Sequence, residues 1–390
     1  MLPYMLRFLA VGFALAIAAT TFGAERPLPR VDPSDVGMRA DVLAKIGPTV
    51  VAAIEQKQLP GCVVLIGRRG QIAYWEAFGD RQIEPHRIPM DRDAVFDLAS
   101  LTKPIATATS VMILADRGVL NVDEPVARYW PEFAASGKQE ITVRHLLIHT
   151  SGLIPDNALD DYQHGSEEAW RRIANLAPRA PLGEKFQYSD VGFLVLGKVV
   201  ERVSGKTLDE FTRDEIFRPL GMNETGYLPG AALRERAAPA TQRDGAWIQG
   251  EVHDPRAHLL GGVAGHAGLF STPQDLAVYA SALTGRGKSG SEALFSAKTW
   301  ALMAESNTVP NGIRALGWDR ATGYSINRGA KMSAQAFGHG GFTGTALWID
   351  PAHDLFVIFL SNRLHPHGKG SVNRLAGEIG DLAVESLRDE

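Results

Sequence analysis

The order of local patterns along the chain constrains the fold most. "GCVVLIGRRGQIAYWEAFG" (61–79) reads as two strands joined at Arg69-Gly70. From about 120 to 260 the chain turns to helical spacing and long loops, with "TVRHLLIH", "SEEAWRRIANL", "DVGFLVLGKVVERVSG" and "TLDEFTRDEIF". Strand patterns return from about 312 in "IRALGWD", "AQAFGHG", "TGTALWID" and "DLFVIFLSN". Helical patterns bracket the whole: "MRADVLAKIGPTVVAAIEQ" (38–56), read as one long helix strained at Pro48, and "GSVNRLAGEIGDLAVESL" at the end. Strands from both ends of a chain can join in one antiparallel sheet covered by the terminal helices, with the helical middle inserted as a second lobe. The expected fold is therefore α/β. Its sheet lobe covers about 33–99 and 265–390, its all-helical lobe about 100–264, and the cleft between them is a natural place for a site.

The chain is long enough for such a pair of lobes, with 390 residues of ordinary globular composition, and its net charge of -4 gives no reason to expect nucleic acid as a partner. A lone Cys62 excludes a disulfide framework and a cysteine-based metal site, and fits a core position on the first strand. "MLPYMLR" and "FLAVGFALAIAA" form a charged head and a short apolar run, followed by small residues in "TTFGAE". Residues 1–24 therefore read as a signal peptide, with the uncleaved anchor as the alternative. The mature protein is expected to be exported, periplasmic, and without a membrane span after signal removal.

Chemistry is suggested first by "FDLASLTKPIATATS" (96–110), where Ser100 and Lys103 head a small and apolar helical run reaching Gly118, with Pro104 in its first turn. Residues i and i+3 share a helix face, so the amine can reach the hydroxyl, and a helix start favours negative charge developing on Ser100. Acting as a base requires a lowered lysine pKa. The pattern alone is weak, since about one match arises by chance in a chain this long. In "FQYSDVGFLVLGKVVE" (186–201), Tyr188 fits a proton relay or a core aromatic, and Asp190 fits a helix cap. In "FGHGGFTGTALWID" (337–350), the Gly340-Gly341 pair after His339 allows close backbone approach by a ligand, or marks a hairpin or bulge.

Taken in this order, the three motifs resemble those of the serine β-lactamases and low-molecular-mass penicillin-binding proteins. The likeness is to the branch holding class C β-lactamases, D,D-carboxypeptidases and related esterases. The resemblance covers nearly all of the mature chain, including "LLIHTSGL", "RPLGMNETGY" and "GGVAGHAGLFST". It implies a β-lactamase/transpeptidase-like fold and a serine hydrolase working through an acyl-enzyme without metal or organic cofactor. Ser100 would be the nucleophile, Lys103 and Tyr188 would share acid and base roles, and the N–H groups of Ser100 and Phe342 would form the oxyanion hole. Asp190, His339, Gly340 and Gly341 would contact substrate. Two residues depart from the family pattern. Asp190 stands for the usual Asn and suggests either a donating substrate group or an Asp held to Lys103. His339 stands where β-lactamases have Lys and holds a carboxylate less firmly.

Two further readings concern the surroundings. His253, Asp254, His258 and His266 lie close in sequence, but their spacing matches no zinc pattern, and they are expected to bond loops around the cleft. Arg363, after a strand, is either a surface residue or a binder of a substrate carboxylate. The expected substrate is a peptidoglycan-derived peptide or a related amide or ester. The alternatives are a class C-like β-lactamase and a penicillin-binding sensor with negligible turnover.

Overall fold

The structure is a computed structural model describing residues 27–286, 288–289, 292–368 and 370–388, so the signal peptide expected at 1–24 lies outside the described residues. Strands from the two ends of the chain meet in one antiparallel sheet, as expected. Its nine strands run in the order Asn307–Val309, Gly312–Arg314, Asp319–Ala321, Phe337–Gly341, Thr345–Asp350, Leu355–Ser361, Gly61–Arg68, Gln71–Gln82 and Ile88–Pro89. The join between the ends is the pairing of Gly61–Arg68 with Leu355–Ser361, in register from Cys62↔Ser361 to Arg68↔Leu355.

The central strands are buried on both faces because side chains alternate between two cores. Val63, Leu65, Phe356, Ile358 and Leu360 face one cluster, shared with Leu146, Val195 and Leu276 of the helical layer. Cys62, Val64, Ile66, Val357 and Phe359 face the other, shared with Ile46, Val50 and Ile379 of the terminal helices. Cys62 is thus a core residue.

The N-terminal helical pattern is two helices, not one. Ala40–Leu43 ends, and Ile46–Glu55 starts afresh after Lys45. Pro48 falls in the first turn of the second helix, where its missing N–H costs no intrahelical bond. The expected strand "IRALGWD" is also two short strands, because Trp318 N–H turns back onto the Ala315 carbonyl.

The chain leaves the sheet through Phe96–Asp97 and returns through Leu269–Ser271, and these two segments pair with each other at Phe96↔Ser271 and Asp97↔Phe270. Leu98 N–H adds a further bond to Leu269 O, and Ser100 follows at once. The run after Ser100 is helical as expected, but its first part, Lys103–Ala108, is π-helical before Thr109–Asp116 becomes regular. Such wide turns are frequent at functional sites.

Candidate active site

Ser100 sits in the turn Ala99–Leu101 with Lys103 one turn later, fully buried, its Nζ donating to Ser100 Oγ at 3.0 Å and to His266 O at 3.0 Å. The Asp190 carboxylate lies 2.6 Å from the same nitrogen. Two acceptors therefore take N–H groups of the ammonium, and the Asp190 carboxylate supplies its counter-charge. Burial pulls the Lys103 pKa down, but Asp190 and Tyr188 outweigh it and hold the group above its ordinary value. The direction is opposite to the lowered value a resting lysine base requires. Asp190 is not the helix cap: Ser189 caps the helix Asp190–Ser204 by accepting from Gly192 N–H, which frees Asp190 for Lys103.

Tyr188 packs with its ring 5.0 Å from Lys103 Nζ. Its buried hydroxyl lies beside Lys103 and Ser100 and makes no well-aligned hydrogen bond. Burial raises its pKa against the pull of Lys103, so the phenol is protonated at rest. Tyr324 stacks on one side of it at 5.0 Å, and His149 packs against it at 4.5 Å.

His339 is buried on the strand Phe337–Gly341, where its Nδ1–H donates to the Gly340 carbonyl at 2.7 Å. Burial, with Arg314 and Lys103 nearby, holds its pKa well below the ordinary value. The ring is neutral, so its Nε2 is an acceptor. His149 is held neutral in the same way. Arg314, absent from the sequence reading, is the charge that adds to burial at both rings: a guanidinium of 0% exposure, 3.5 Å from Asp319, with none of its three nitrogens hydrogen-bonded.

The glycine pair serves the fold as well as the cleft. A Cβ on Gly341 would stand 2.4 Å from Leu98 O, so its absence lets this strand abut the Ser100 turn. A Cβ on Gly340 would stand 2.3 Å from Asn327 Nδ2. Phe342, the first residue past the Gly341↔Thr345 pair, is 61% exposed at the cleft mouth. Arg363 lies 4.8 Å over its ring and donates to Phe342 O and, at 2.7 Å, to Gly370 O. Ser100, Tyr188, His339, Gly340, Gly341, Phe342 and Arg363 line one cleft of about 240 Å³, while Lys103 and Asp190 stand behind it.

The histidine-rich segment is partly drawn in. His266 Nε2 bonds Asp254 at 2.9 Å while its carbonyl receives Lys103. Burial opposes it, but His266 and the Ala257 N–H hold the Asp254 carboxyl well below its usual range. His258 instead bonds Arg243 at the surface, and His253 stacks on Phe342. Asp190, Asp254 and His266 bring ligand-type atoms within 4.8 Å of one another, and the Lys103 ammonium already supplies a cation there.

A cleft-lining serine bonded to a buried lysine, with a phenol alongside, is the geometry of a serine acyl-transfer site. The family model named Beta-lactamase matches residues 47–380. The chain belongs to the β-lactamase family. It is 33% identical to the N-acetylmuramyl-L-alanine amidase of Bacillus subtilis (strain 168), over 78% of each chain. It is 30% identical to an Escherichia coli (strain K12) protein with the provisional name D-alanyl-D-alanine carboxypeptidase, over 95% of this chain and 94% of that one. Its fold is that of a penicillin-binding protein homologue from Caulobacter crescentus, with a TM-score of 0.73, 21% identity, and coverage of 90% and 99%. The protein is thus a serine hydrolase of the β-lactamase family, whose relatives carry amidase and carboxypeptidase names.

Proposed function

We propose that this protein is an exported hydrolase that forms an acyl-enzyme on Ser100 and cleaves an amide or ester bond in peptidoglycan-derived fragments. The observation that carries the reading is the 3.0 Å bond between Ser100 Oγ and a buried Lys103, with the Tyr188 hydroxyl beside both. Lys103 acts as a resident cation, because the Asp190 carboxylate 2.6 Å away keeps it charged. Tyr188 acts as the shuttle: its oxygen takes the Ser100 proton as its own proton passes to the leaving nitrogen or oxygen. The Ser100–carbonyl bond forms, the bond to the leaving group breaks, and the phenol ends as it began. The carbonyl oxygen is received by the N–H groups of Ser100 and Phe342. Water then enters by the same route in reverse and releases the acid.

Neutral His339 favours an amidase or esterase over a β-lactamase or a carboxypeptidase. A substrate carboxylate placed there meets an acceptor nitrogen, whereas a substrate N–H or hydroxyl finds a partner. Export is supported by the sequence of residues 1–24, and no helix of the described residues is long and apolar enough to cross a membrane.

The test is intact-protein mass during incubation with an N-acetylmuramyl-L-alanyl peptide and, separately, a penicillin, for wild type and Ser100→Ala. A transient adduct with the muramyl peptide consumed, absent in Ser100→Ala, is the expected result. Rapid penicillin consumption with no action on the peptide would move the assignment to β-lactamase. A lasting penicillin adduct alone would mark a sensor. Undiminished turnover by Ser100→Ala would end the acyl-enzyme reading.

A further inference from the structure

Asp97, three residues before Ser100, has no part in the proton shuttle, yet its bonds reach the Ser100 turn, the His253–Asp254 segment and the residue after Phe342. Its side chain is buried, and Oδ1 accepts from Ala99 N–H at 2.8 Å while Oδ2 accepts from His253 N–H at 2.7 Å. Its own carbonyl accepts from Thr343 Oγ1 at 2.7 Å. Ala99 has φ +46°, a left-handed conformation unfavourable for a residue with a Cβ, so the turn that presents Ser100 needs an external hold.

The three contacts reach different parts of the site. The Ala99 bond sets the turn carrying Ser100. The His253 bond fixes the residue next to Asp254, whose carboxylate holds His266, whose carbonyl in turn receives Lys103. The Thr343 bond fixes the residue after Phe342. We propose that Asp97 is a positioning residue whose ionised carboxylate locks the strained Ala99–Ser100 turn to the His253–Asp254 segment, and that the site loses alignment when this carboxylate is protonated or removed.

The proposal rests on the assignment of Ser100 as the acylated residue. An ionised carboxylate can accept on both oxygens, whereas a neutral one turns an O–H toward one of the two N–H donors and gives up that bond. Burial pushes the Asp97 carboxyl up to about 6. The His253 and Ala99 N–H groups oppose that rise, Asp254 adds to it, and Arg243 opposes it. Activity therefore has an acid limb as pH falls through about 6. Because the folded value lies above the ordinary one, protonation of Asp97 itself favours the folded state, and the limb is a loss of alignment rather than of fold.

The experiment compares full-length wild type, Asp97→Asn, Asp97→Ala and Ser100→Ala. One readout is kcat and KM against pH with an N-acetylmuramyl-L-alanyl peptide and a p-nitrophenyl ester. The other is backbone amide exchange at Ala99 and His253, which needs no substrate. In Asp97→Ala kcat should fall by about 10–100-fold with KM within about twofold, the signature of misplaced reacting groups. Asp97→Asn keeps one acceptor, so it should fall between and lose the acid limb near pH 6. Exchange should quicken at both amides in Asp97→Ala, at one of the two in Asp97→Asn, and stay at the wild-type rate in Ser100→Ala. Wild-type exchange at both amides in the Asp97 variants, or an unchanged kcat and acid limb, would overturn the proposal. Turnover surviving in Ser100→Ala would instead overturn the Ser100 assignment, with the exchange data still deciding what Asp97 holds.

Discussion

Asp190 holds the Lys103 ammonium at 2.6 Å, closer than the 3.0 Å that separates that nitrogen from Ser100 Oγ. The lysine is completely buried and the aspartate one-fifth exposed. Asp190→Asn would leave the cation without its counter-charge, so burial would govern and the Lys103 pKa should fall. Removing one partner of a buried pair costs about 3–5 kcal/mol, and the partial exposure of Asp190 puts the expected loss near the lower figure. Since Asp190 raises the folded value, its contribution is present at neutral pH and fades as pH rises through the Lys103 value. Urea unfolding should therefore show less alkaline loss in the variant, and the alkaline limb of kcat should move to lower pH. An unmoved limb would mean that Lys103 does not set it.

Two buried neutral imidazoles contribute to the acid side of stability. His149 and His339 both have pKa values held well below 6.5 by burial and by Arg314 and Lys103. A depressed histidine stabilises the fold above its unfolded value and loses that contribution as pH falls toward the folded one. Each should add a slope of up to about 1.4 kcal/mol per pH unit below about pH 6.5. Guanidinium unfolding at several pH values should show a shallower slope in His339→Gln than in wild type. An identical slope would contradict the burial of His339 as a neutral group.

Arg314 adds to the effect of burial at both rings. Its guanidinium lies 3.5 Å from Asp319, and that carboxylate is separately bonded by Arg320 N–H, Thr322 Oγ1 and Ser325 Oγ. Arg314→Met should leave Asp319 with partners and relieve both histidines. Imidazole resonances followed by NMR should then titrate at higher pH for His149 and His339 than in wild type. Titration at the wild-type pH would show that burial alone depresses them.

The approach of the Gly341 strand to the nucleophile turn has a steric test. A Cβ at Gly341 would lie 2.1 Å from Thr345 Oγ1 and 2.4 Å from Leu98 O, whereas one at Gly323 meets nothing within 4 Å. Gly341→Ala should displace the strand from the Ser100 turn and lower kcat by about 100-fold. Gly323→Ala should keep kcat and stability close to wild type, within about 0.5 kcal/mol. Equal activity of the two variants in a single assay would remove the steric reason for Gly341.

Local pattern was enough for the sheet, because strands such as Leu355–Ser361 are apolar on both faces and too short to be mistaken for helices. Ser100, Lys103, Tyr188 and His339 stand in motifs that are weak singly and were given roles only by the family resemblance of the three in order. Pattern failed where long-range packing decides. The break between Leu43 and Ile46 is not marked by Pro48, which sits harmlessly inside the next helix. The rise in the Lys103 pKa depends on Asp190, far along the chain. Arg314 looks like a surface residue until the folded sheet seals it beside Tyr188 and His339. Asp97 could have been suspected from its place in "FDLAS", but nothing local indicates that its second oxygen reaches His253.

The pairing of Phe96–Asp97 with Leu269–Ser271 means that the segment leaving the sheet and the segment re-entering it are hydrogen-bonded neighbours. Whatever lies between them begins and ends at one seam. A change in its length costs little in loop closure, because that cost grows only slowly with the number of residues enclosed. Roof and floor of the cleft can therefore diverge at different rates. Ser100, Lys103, Tyr188 and Asp190 all lie inside the enclosed segment, whereas His339, Gly340 and Gly341 stand on the sheet outside it, so insertions between Lys103 and Leu269 can reshape the roof while the sheet side of the cleft stays as it is.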